Sequence, residues 1–286
     1  MKTKSAYELI KKVWRPQYIE NLELIHGTSG PHSTPRHFHE ELELMVVQGS
    51  AWKFYYRGTQ HTVFPDTLTL TEPGEVHTVH FADETSYTFR ALRIYRSLLQ
   101  NVATEVAGRE KELPFFSTPV VTDKHFKRLV LDLYMALKDE SASVLEQESR
   151  VLDTLAQLIM RYAQDRLALQ PLGWERQPVK RVRDYLEDNY AENVSLEQLA
   201  SIACLSSFHL NRVFCKEIGL PPHAYQTQVR VNRAKTLLTR GWSIGRVALE
   251  IGFASQSHFG WHFKRQVGVT PGQYVKDSKN LIDRDV

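Results

Sequence analysis

The stretch that begins at Ser206, SSFHLNRVFCKEIGLPPHAY, returns at Ser255 as SQSHFGWHFKRQVGVTPGQY. A constant offset of 49 residues superposes Ser206 on Ser255, His209 on His258, Phe214 on Phe263, Gly219 on Gly268, Pro222 on Pro271 and Tyr225 on Tyr274. On the same offset Cys204 falls on Phe253. A segment written twice in this detail must fold twice, so the last third of the chain contains two copies of one short module. Each copy has an upstream partner, SLEQLASIACL from Ser195 and SIGRVALEIGF from Ser243.

The modules read as helical. Ser195 and Gln198 have the spacing of a capping box, which starts a helix that runs to about Ala203. After a short turn, Ser206 or Ser255 caps a second helix, whose buried side is Leu210 and Phe214 in one copy and Phe259 and Phe263 in the other. Helix, turn, helix is the layout that lowers its second helix into the major groove of DNA. With the apolar side set aside, the first copy presents Ser207, Phe208, Asn211 and Arg212, and the second presents Gln256, Ser257, Gly260 and Trp261. Asn and Gln can pair with adenine, Arg with guanine, and an apolar surface with the thymine methyl. A helix of about 224–239 lies between the copies; if it is rigid, the reading helices reach successive major grooves about 34 Å apart on one face of the duplex.

Charge follows the same division. From Pro178 onward there are 15 Lys and Arg against 10 Asp and Glu, which leaves 21 against 23 before it, as expected if the repeated part meets a polyanion. Lys180, Arg181, Arg183, Arg230, Arg233, Lys264 and Arg265 are candidates for phosphate contacts, though each taken singly also reads as a solvated surface charge.

The earlier part of the chain has a different period. Short runs rich in aromatic and β-branched residues, at 41–47, 52–56, 68–70, 77–81 and 88–95, read as strands, with Gly49, Gly58, Pro65 and Pro73-Gly74 as punctuation. This suggests an antiparallel barrel or sandwich. After Pro119 apolar residues recur at helical spacing, predicting helices over about 122–139 and 143–167. In the second, Leu145, Leu152, Leu155, Ile159 and Tyr162 form a heptad seam that only Glu148 breaks. These two helices either pack on the sheet or form the interface of a homodimer. Residues 168–177, ALQPLGWERQ, read as a linker, and Pro178 opens a helix. The expected fold is therefore α+β with two domains: an antiparallel β-barrel with two following helices at 1–167, and an all-α domain of two helix-turn-helix units at 178–286.

Gly30, His37, His39, Glu43 and Gly49 form G-x6-H-x-H-x3-E-x5-G, and His77 follows the Pro73-Gly74 turn. Even separations put His37, His39 and Glu43 on one side of a strand. Such a set can ligate a divalent transition metal, hydrogen-bond an effector, or satisfy itself inside the barrel. Trp52, Phe54 and Tyr56 share a strand face and serve either as an effector platform or as core. No nucleophile, base and orienter are arranged for catalysis, so no enzyme activity, metal or cofactor is assigned. Cys204 and Cys215 are too few for a disulfide framework and read as reduced thiols. No apolar run approaches the roughly 18 residues of a membrane span, and the charged start MKTKSAYELIKKVW lacks a leader's apolar run; a cytoplasmic protein with no membrane association is expected.

The pattern from Ser195 to Tyr274 resembles the AraC/XylS transcription regulators. The residues that carry the likeness are Ala200, Gly219, Pro222, Arg230, Ala234, Leu237 and Leu238, then Ile244, Ala248, Gly252-Phe253, Ser257, Phe259, Phe263-Lys264, Gly268, Thr270-Pro271 and Tyr274. The histidine motif resembles the cupin barrel and the sensor domains that precede the repeat in many such regulators; the turn after Pro65 departs from the usual Gly-Asp, reading Asp66-Thr67. The resemblance implies two helix-turn-helix units joined by a linker helix and docked side by side on promoter DNA, with RNA polymerase as a partner. It puts the base-reading sites on Phe208, Asn211, Arg212, Gln256, Ser257, Gly260 and Trp261, to which the basic patch adds Arg230 and Lys264 as expected DNA contacts. Trp261 is a departure, since members often carry Arg there, and it weakens the case for direct base readout by the second unit. The function implied is an activator controlled by a small-molecule effector, a sugar, amino acid or other metabolite, bound near His37, His39, Glu43, Trp52, Phe54, Tyr56 and His77. The competing readings are a metal-dependent cupin enzyme tethered to DNA and a ligand-independent DNA binder whose barrel only dimerises.

Overall fold

The computed structural model describes residues 10–29, 32–34, 36–49, 51–65, 67–81, 87–139, 141–164 and 176–282; Gly30, Asp66 and nearly all of the expected linker lie outside them. The chain divides into two compact units, one of residues 1–139 and 150–170, the other of residues 140–149 and 171–286.

The first unit is built on two antiparallel sheets. Six strands, β1 (Ile10–Trp14), β2 (Leu22–Ser29), β4 (Leu42–Gln48), β7 (Leu68–Thr71), β9 (Tyr87–Ile94) and β10 (Val120–Val121), pair in the order β1-β2-β9-β4-β7-β10. The other four, β3 (His32–Ser33), β5 (Trp52–Tyr56), β6 (Thr59–Val63) and β8 (His77–Phe81), pair in the order β3-β8-β5-β6. Among the described residues the strands form two sheets rather than one closed ring, which corrects the expected barrel to an open, two-sheet form of it. Position explains which strands the sequence announced. In β4, Leu42 to Val47 are all buried, and the strand sits inside its sheet between β9 and β7. In β5, Trp52, Phe54 and Tyr56 alternate inward. The strand after it, β6, carries TQHTV and is set by its turn, where Arg57 (φ 47°) and Gly58 (φ 75°) both take the left-handed conformation that a two-residue hairpin loop requires. Ile25, Met45, Val47, Trp52, Phe54, Tyr56, Val63, Val79, Tyr87 and Ala91 make the core.

Three helices follow: α1 (Arg96–Ala107), α2 (Lys124–Lys138) and α3 (Val144–Tyr162). Phe126, Val130, Leu133 and Leu137 of α2 are buried, and the Phe126 ring meets Tyr162 of α3 at 5.2 Å. Leu145, Leu155 and Ile159 are fully buried within this single chain, as is nearly all of Leu152. These four side chains of the heptad seam are therefore packed within the chain, while Tyr162 is half-buried.

One buried carboxyl in this unit sets a pH dependence. Glu72 accepts the amide of Phe116 through Oε1, and its own N–H donates to Tyr56 Oη at 3.1 Å. Burial pushes the Glu72 carboxyl up to about 7, against the opposing pull of the Phe116 N–H. The folded state then holds a proton that the unfolded chain releases near its ordinary carboxyl range, so this group's contribution is intact at low pH and is lost as pH rises toward 7. Replacing Glu72 with Gln should flatten the fall in urea-unfolding stability across about pH 5 to 7 that the native protein shows.

The second unit is helical: α4 (Arg176–Asp188), α5 (Leu196–Ala203), α6 (Ser207–Ile218), α7 (Pro222–Thr239), α8 (Ile244–Glu250), α9 (Gln256–Val267) and α10 (Pro271–Ile282). The repeat is realised residue for residue in α6 and α9. Ser206 and Ser255 cap them by accepting the amides of His209 and His258, and Gly219 (φ 81°) and Gly268 (φ 91°) end them in the left-handed conformation. Ahead of them, α5 has the expected capping box, with Gln198 N–H donating to Ser195 Oγ and Ser195 N–H to Gln198 Oε1. In the turn between the paired helices the offset is 48 rather than 49. Leu205 N–H donates to Ala200 O as Phe253 N–H does to Ala248 O, so Cys204 matches Gly252, not Phe253, and the second copy carries one extra turn residue.

That match has a cost in the first copy. Cys204 adopts φ 56°, a conformation that disfavours a side chain, whereas Gly252 at φ 81° also sits so close to Ala191 that a Cβ would fall 2.1 Å from its carbonyl oxygen. Cys204→Gly should raise the thermal midpoint, with a gain of up to about 1 kcal/mol, and Gly252→Ala should lower stability by more than about 2 kcal/mol. Differential scanning calorimetry of both variants checks the pair of signs.

Candidate nucleic-acid interface and sensor cluster

The DNA-facing half rests on a turn. Residues 189–194 connect α4 to α5, and two side chains of α7 grip their carbonyls. Arg230 donates from Nε to Tyr190 O at 2.6 Å and from Nη2 to Glu192 O at 2.9 Å; Gln226 donates to the same two oxygens at 3.2 and 2.9 Å. The Arg230 guanidinium also lies 5.6 Å from the Phe253 ring centre, and Gly252 packs on Ala191. The turn thus joins the first helix-turn-helix unit to the linker helix and to the turn of the second. Arg230 is only 4% exposed, and burial lowers its pKa to about 10. It was expected to contact phosphate. Its donors are instead committed to backbone carbonyls inside the fold.

Other cations of the expected patch are similarly engaged. Arg181 donates to Ala203 O, Arg183 pairs with Asp184 at 3.0 Å, Lys180 approaches Asp184 at 3.8 Å, and Arg233 lies over the Tyr190 ring at 5.4 Å. Lys264 and Arg265 are exposed on α9.

The two reading helices differ in what they show. On α9, Gln256, Ser257, Trp261 and Lys264 are exposed and Gly260 is half-buried, with open space where a Cβ would stand. Trp261 is 55% exposed, and Arg265 lies over its ring at 5.1 Å. On α6, Ser207 and Arg212 are half-buried, while Phe208 and Asn211, expected to face outward, are 6% and 8% exposed. One turn of helix separates Phe208 from Arg212, whose guanidinium covers the ring at 5.3 Å, so the aromatic is sheltered by the residue expected beside it on the reading face. Burial correspondingly lowers the Arg212 pKa.

Residues 140–149 belong to this unit and fasten to it by reciprocal caps. Glu148 accepts the amide of Leu196 at 2.6 Å, at the start of α5, and Asn193 Oδ1 accepts the amide of Val144 at 3.2 Å, at the start of α3. Burial raises the Glu148 pKa, partly offset by the Leu196 N–H. The charge that breaks the apolar heptad is there to cap a helix.

In the first unit, His37, His39, Glu43 and His77 do come together. The His77 ring lies 4.3 Å from that of His37 and 5.0 Å from that of His39, and ligand atoms of His39, Glu43 and His77 are all within 4.8 Å of one another. His39 Nδ1 lies 2.8 Å from Glu41 O and His77 Nδ1 lies 3.0 Å from Glu75 O. A carbonyl can only accept, so each Nδ1 carries a proton and each ring turns its Nε2 away from that carbonyl. His39 Nε2 is buried with no hydrogen-bond partner. Glu43 stands opposite Arg93 in the β4–β9 register and accepts its Nε–H at 2.8 Å. Burial opposes ionisation of Glu43, but Arg93 and His39 outweigh it and hold its pKa below the ordinary value; burial and the neighbouring His37 lower that of His77. The donor set fits a divalent ion on His39, His77 and the second Glu43 oxygen, and equally fits a ligand that donates hydrogen bonds. Phe54 borders it, 6.1 Å from His77, and stacks on Tyr56 at 5.2 Å; Trp52, Phe54 and Tyr56 are all core residues of the sandwich. Arg93 and Glu72 were not anticipated, because their partners, Glu43 across the β4–β9 pair and the Phe116 amide, lie 50 and 44 residues away in sequence.

The roles of Arg230 and Lys264 separate in a salt titration. Lys264→Ala should reduce the slope of log affinity for operator DNA against log salt by about 0.9, the loss of one phosphate contact. Arg230→Ala should leave that slope unchanged and cost about 3 kcal/mol of folding stability, since two charge-assisted hydrogen bonds to the turn are lost and only the Gln226 donors remain on its carbonyls.

Comparison with known proteins agrees with this architecture. Residues 21–161 match an AraC-like ligand binding domain, and residues 199–277 match a helix-turn-helix domain. The chain is 31% identical over 224 residues to the uncharacterized HTH-type transcriptional regulator YbfI of Bacillus subtilis, covering 78% of this chain and 80% of that protein. It is 25% identical to the HTH-type transcriptional activator RhaS of an Enterobacter species, over 83% of this chain and 86% of that one. Among solved structures it is similar to the C-terminal domain of AraT, a response regulator from Geobacillus stearothermophilus, at 27% identity and a TM-score of 0.34, over 38% of this chain and 88% of that one. No helix among the described residues is long and apolar enough to cross a membrane. By its two matched domains and by relatives aligned over about four fifths of their length, the chain belongs to the AraC/XylS family of transcriptional regulators.

Proposed function

We propose that this protein reads two successive major grooves on one face of promoter DNA and, when an effector occupies the polar cluster of its sandwich, activates transcription there by presenting itself to RNA polymerase in the cytoplasm. The observation that carries the reading is the duplicated frame: α6 and α9 begin and end on matching serine and glycine caps, and both are tied to one turn through α7. Direct readout rests on Gln256, Ser257 and Trp261 in the second unit and on Ser207 and Arg212 in the first, with Lys264 on phosphate. Trp261 offers apolar surface to thymine methyls or sugars. The direction of regulation follows the relative described as an activator.

For the effector, the cluster favours a small polar molecule that can hydrogen-bond His39, whose Nε2 is buried with no hydrogen-bond partner. Its binding energy is available for regulation only if one arrangement of the chain binds it better, by a coupling of about 1 to 3 kcal/mol in a typical case. Arg212→Ala should cost about 1 to 3 kcal/mol of specific binding and relax one base position. Footprinting and competition assays measure this, and unchanged affinity and preference would remove α6 from the reading surface. A metabolite screen by thermal shift, repeated on His39→Ala, tests the sensor: a hit should stabilise the native chain and lose its effect in the variant.

A further inference from the structure

We propose that His258, His262 and Glu146 form a binding site for a divalent transition ion of the zinc type, fastening residues 140–149 to the second reading helix. His258 and His262 are one turn apart on α9, the spacing at which two imidazoles on one helical face ligate zinc. Their Nε2 atoms are 2.8 Å apart, and the Glu146 carboxylate completes a set whose ligand atoms all lie within 4.8 Å of one another. Glu146 comes from the first turn of α3 and is only 9% exposed. Phe253 walls the site, its ring centre 5.4 Å from that of His258 and 5.6 Å from that of His262. Two imidazoles and one carboxylate are ligands that zinc accepts at about 2.0 to 2.2 Å, with a fourth position left for water. Ligand nitrogens on a tetrahedral ion stand about 3.3 Å apart, so the histidines need to part by about half an ångström as the ion takes the place of the proton now held between them.

The location gives the site a consequence. At about 100° per residue, His258 and His262 project from a flank of α9 about 100° or more from Gln256 and Ser257, with the His262 ring edge-on to Trp261 at 4.6 Å, so an ion there borders the reading face rather than covering it. It adds a third fastening to the two caps already holding residues 140–149, at Leu196 and Val144. Those caps hold the first helix-turn-helix unit, whereas the ion holds the second. The segment then spans both reading units, and metal occupancy sets how firmly α9 is tied to it.

Cobalt(II) titration of the full chain, followed by visible absorption and zinc displacement, tests the proposal without DNA or effector. The native protein should develop saturable tetrahedral bands that zinc abolishes. His262→Ala and Glu146→Gln should each weaken that binding by at least about tenfold, since loss of a ligand costs no less than loss of its supporting partner. Glu146→Gln keeps the shape of the side chain and decides the matter if His262→Ala does not fold. His39→Ala separates this site from the cluster in the sandwich. Absence of saturable binding in the native chain overturns the proposal, as does binding that His39→Ala removes and Glu146→Gln leaves unchanged.

Discussion

Arg230 donates to two carbonyls of a single turn, and the geometry of the DNA-binding half follows from that commitment. A buried guanidinium has five donors to satisfy, and the carbonyls of Tyr190 and Glu192 lie where a planar fork can reach both. Gln226, one turn earlier on α7, donates to the same oxygens, so the linker helix is registered against the turn along its length. The second helix-turn-helix unit meets this turn from the other side, through Gly252 on Ala191 and Phe253 beneath the guanidinium. Lysine could not replace the arginine, because a point charge cannot hold two acceptors in a fixed relation. The apolar core of Val231, Ala234, Leu238, Val247, Ala248, Ile251, Phe259 and Phe263 supplies the burial, and the clamp supplies the register.

Buried polar groups do comparable work in the sensor half. The pairing of Glu43 with Arg93 across β4 and β9 keeps a carboxylate charged where burial alone would neutralise it, and the paired carbonyl contacts of His39 and His77 fix which ring nitrogen faces inward. Such a cluster is poised rather than inert: a buried polar atom without a partner costs free energy until a ligand supplies one. This is the physical support for the proposal that an effector is recognised there; Trp52, Phe54 and Tyr56 pack in the core beside it.

How far the sequence could be read depended on whether a residue's partner was local. The caps at Ser195, Ser206 and Ser255 and the terminating glycines are satisfied within a few residues, and all were legible. The inward alternation of Trp52, Phe54 and Tyr56 was equally plain. Arg230, by contrast, has its acceptors 38 and 40 residues away, and on a helix wheel it looks like any surface cation. Glu148 appeared as a flaw in a heptad because its partner, the amide of Leu196, is 48 residues distant. The strands β1 and β2 carry charges and a glycine in place of clean alternation, and only the register with β9 shows what they pair with. Phe208 and Asn211 were placed outward by periodicity and by the family resemblance, neither of which shows the neighbouring Arg212 folding over the Phe208 ring.

The central claim is that two reading helices are held at one fixed separation, and hydroxyl-radical footprinting of the native chain on its operator examines it directly. The account predicts two protected patches on the same face of the duplex, about one helical turn apart, both weakened when a half turn of DNA is inserted between them. A single protected patch, or affinity indifferent to the insertion, would contradict it.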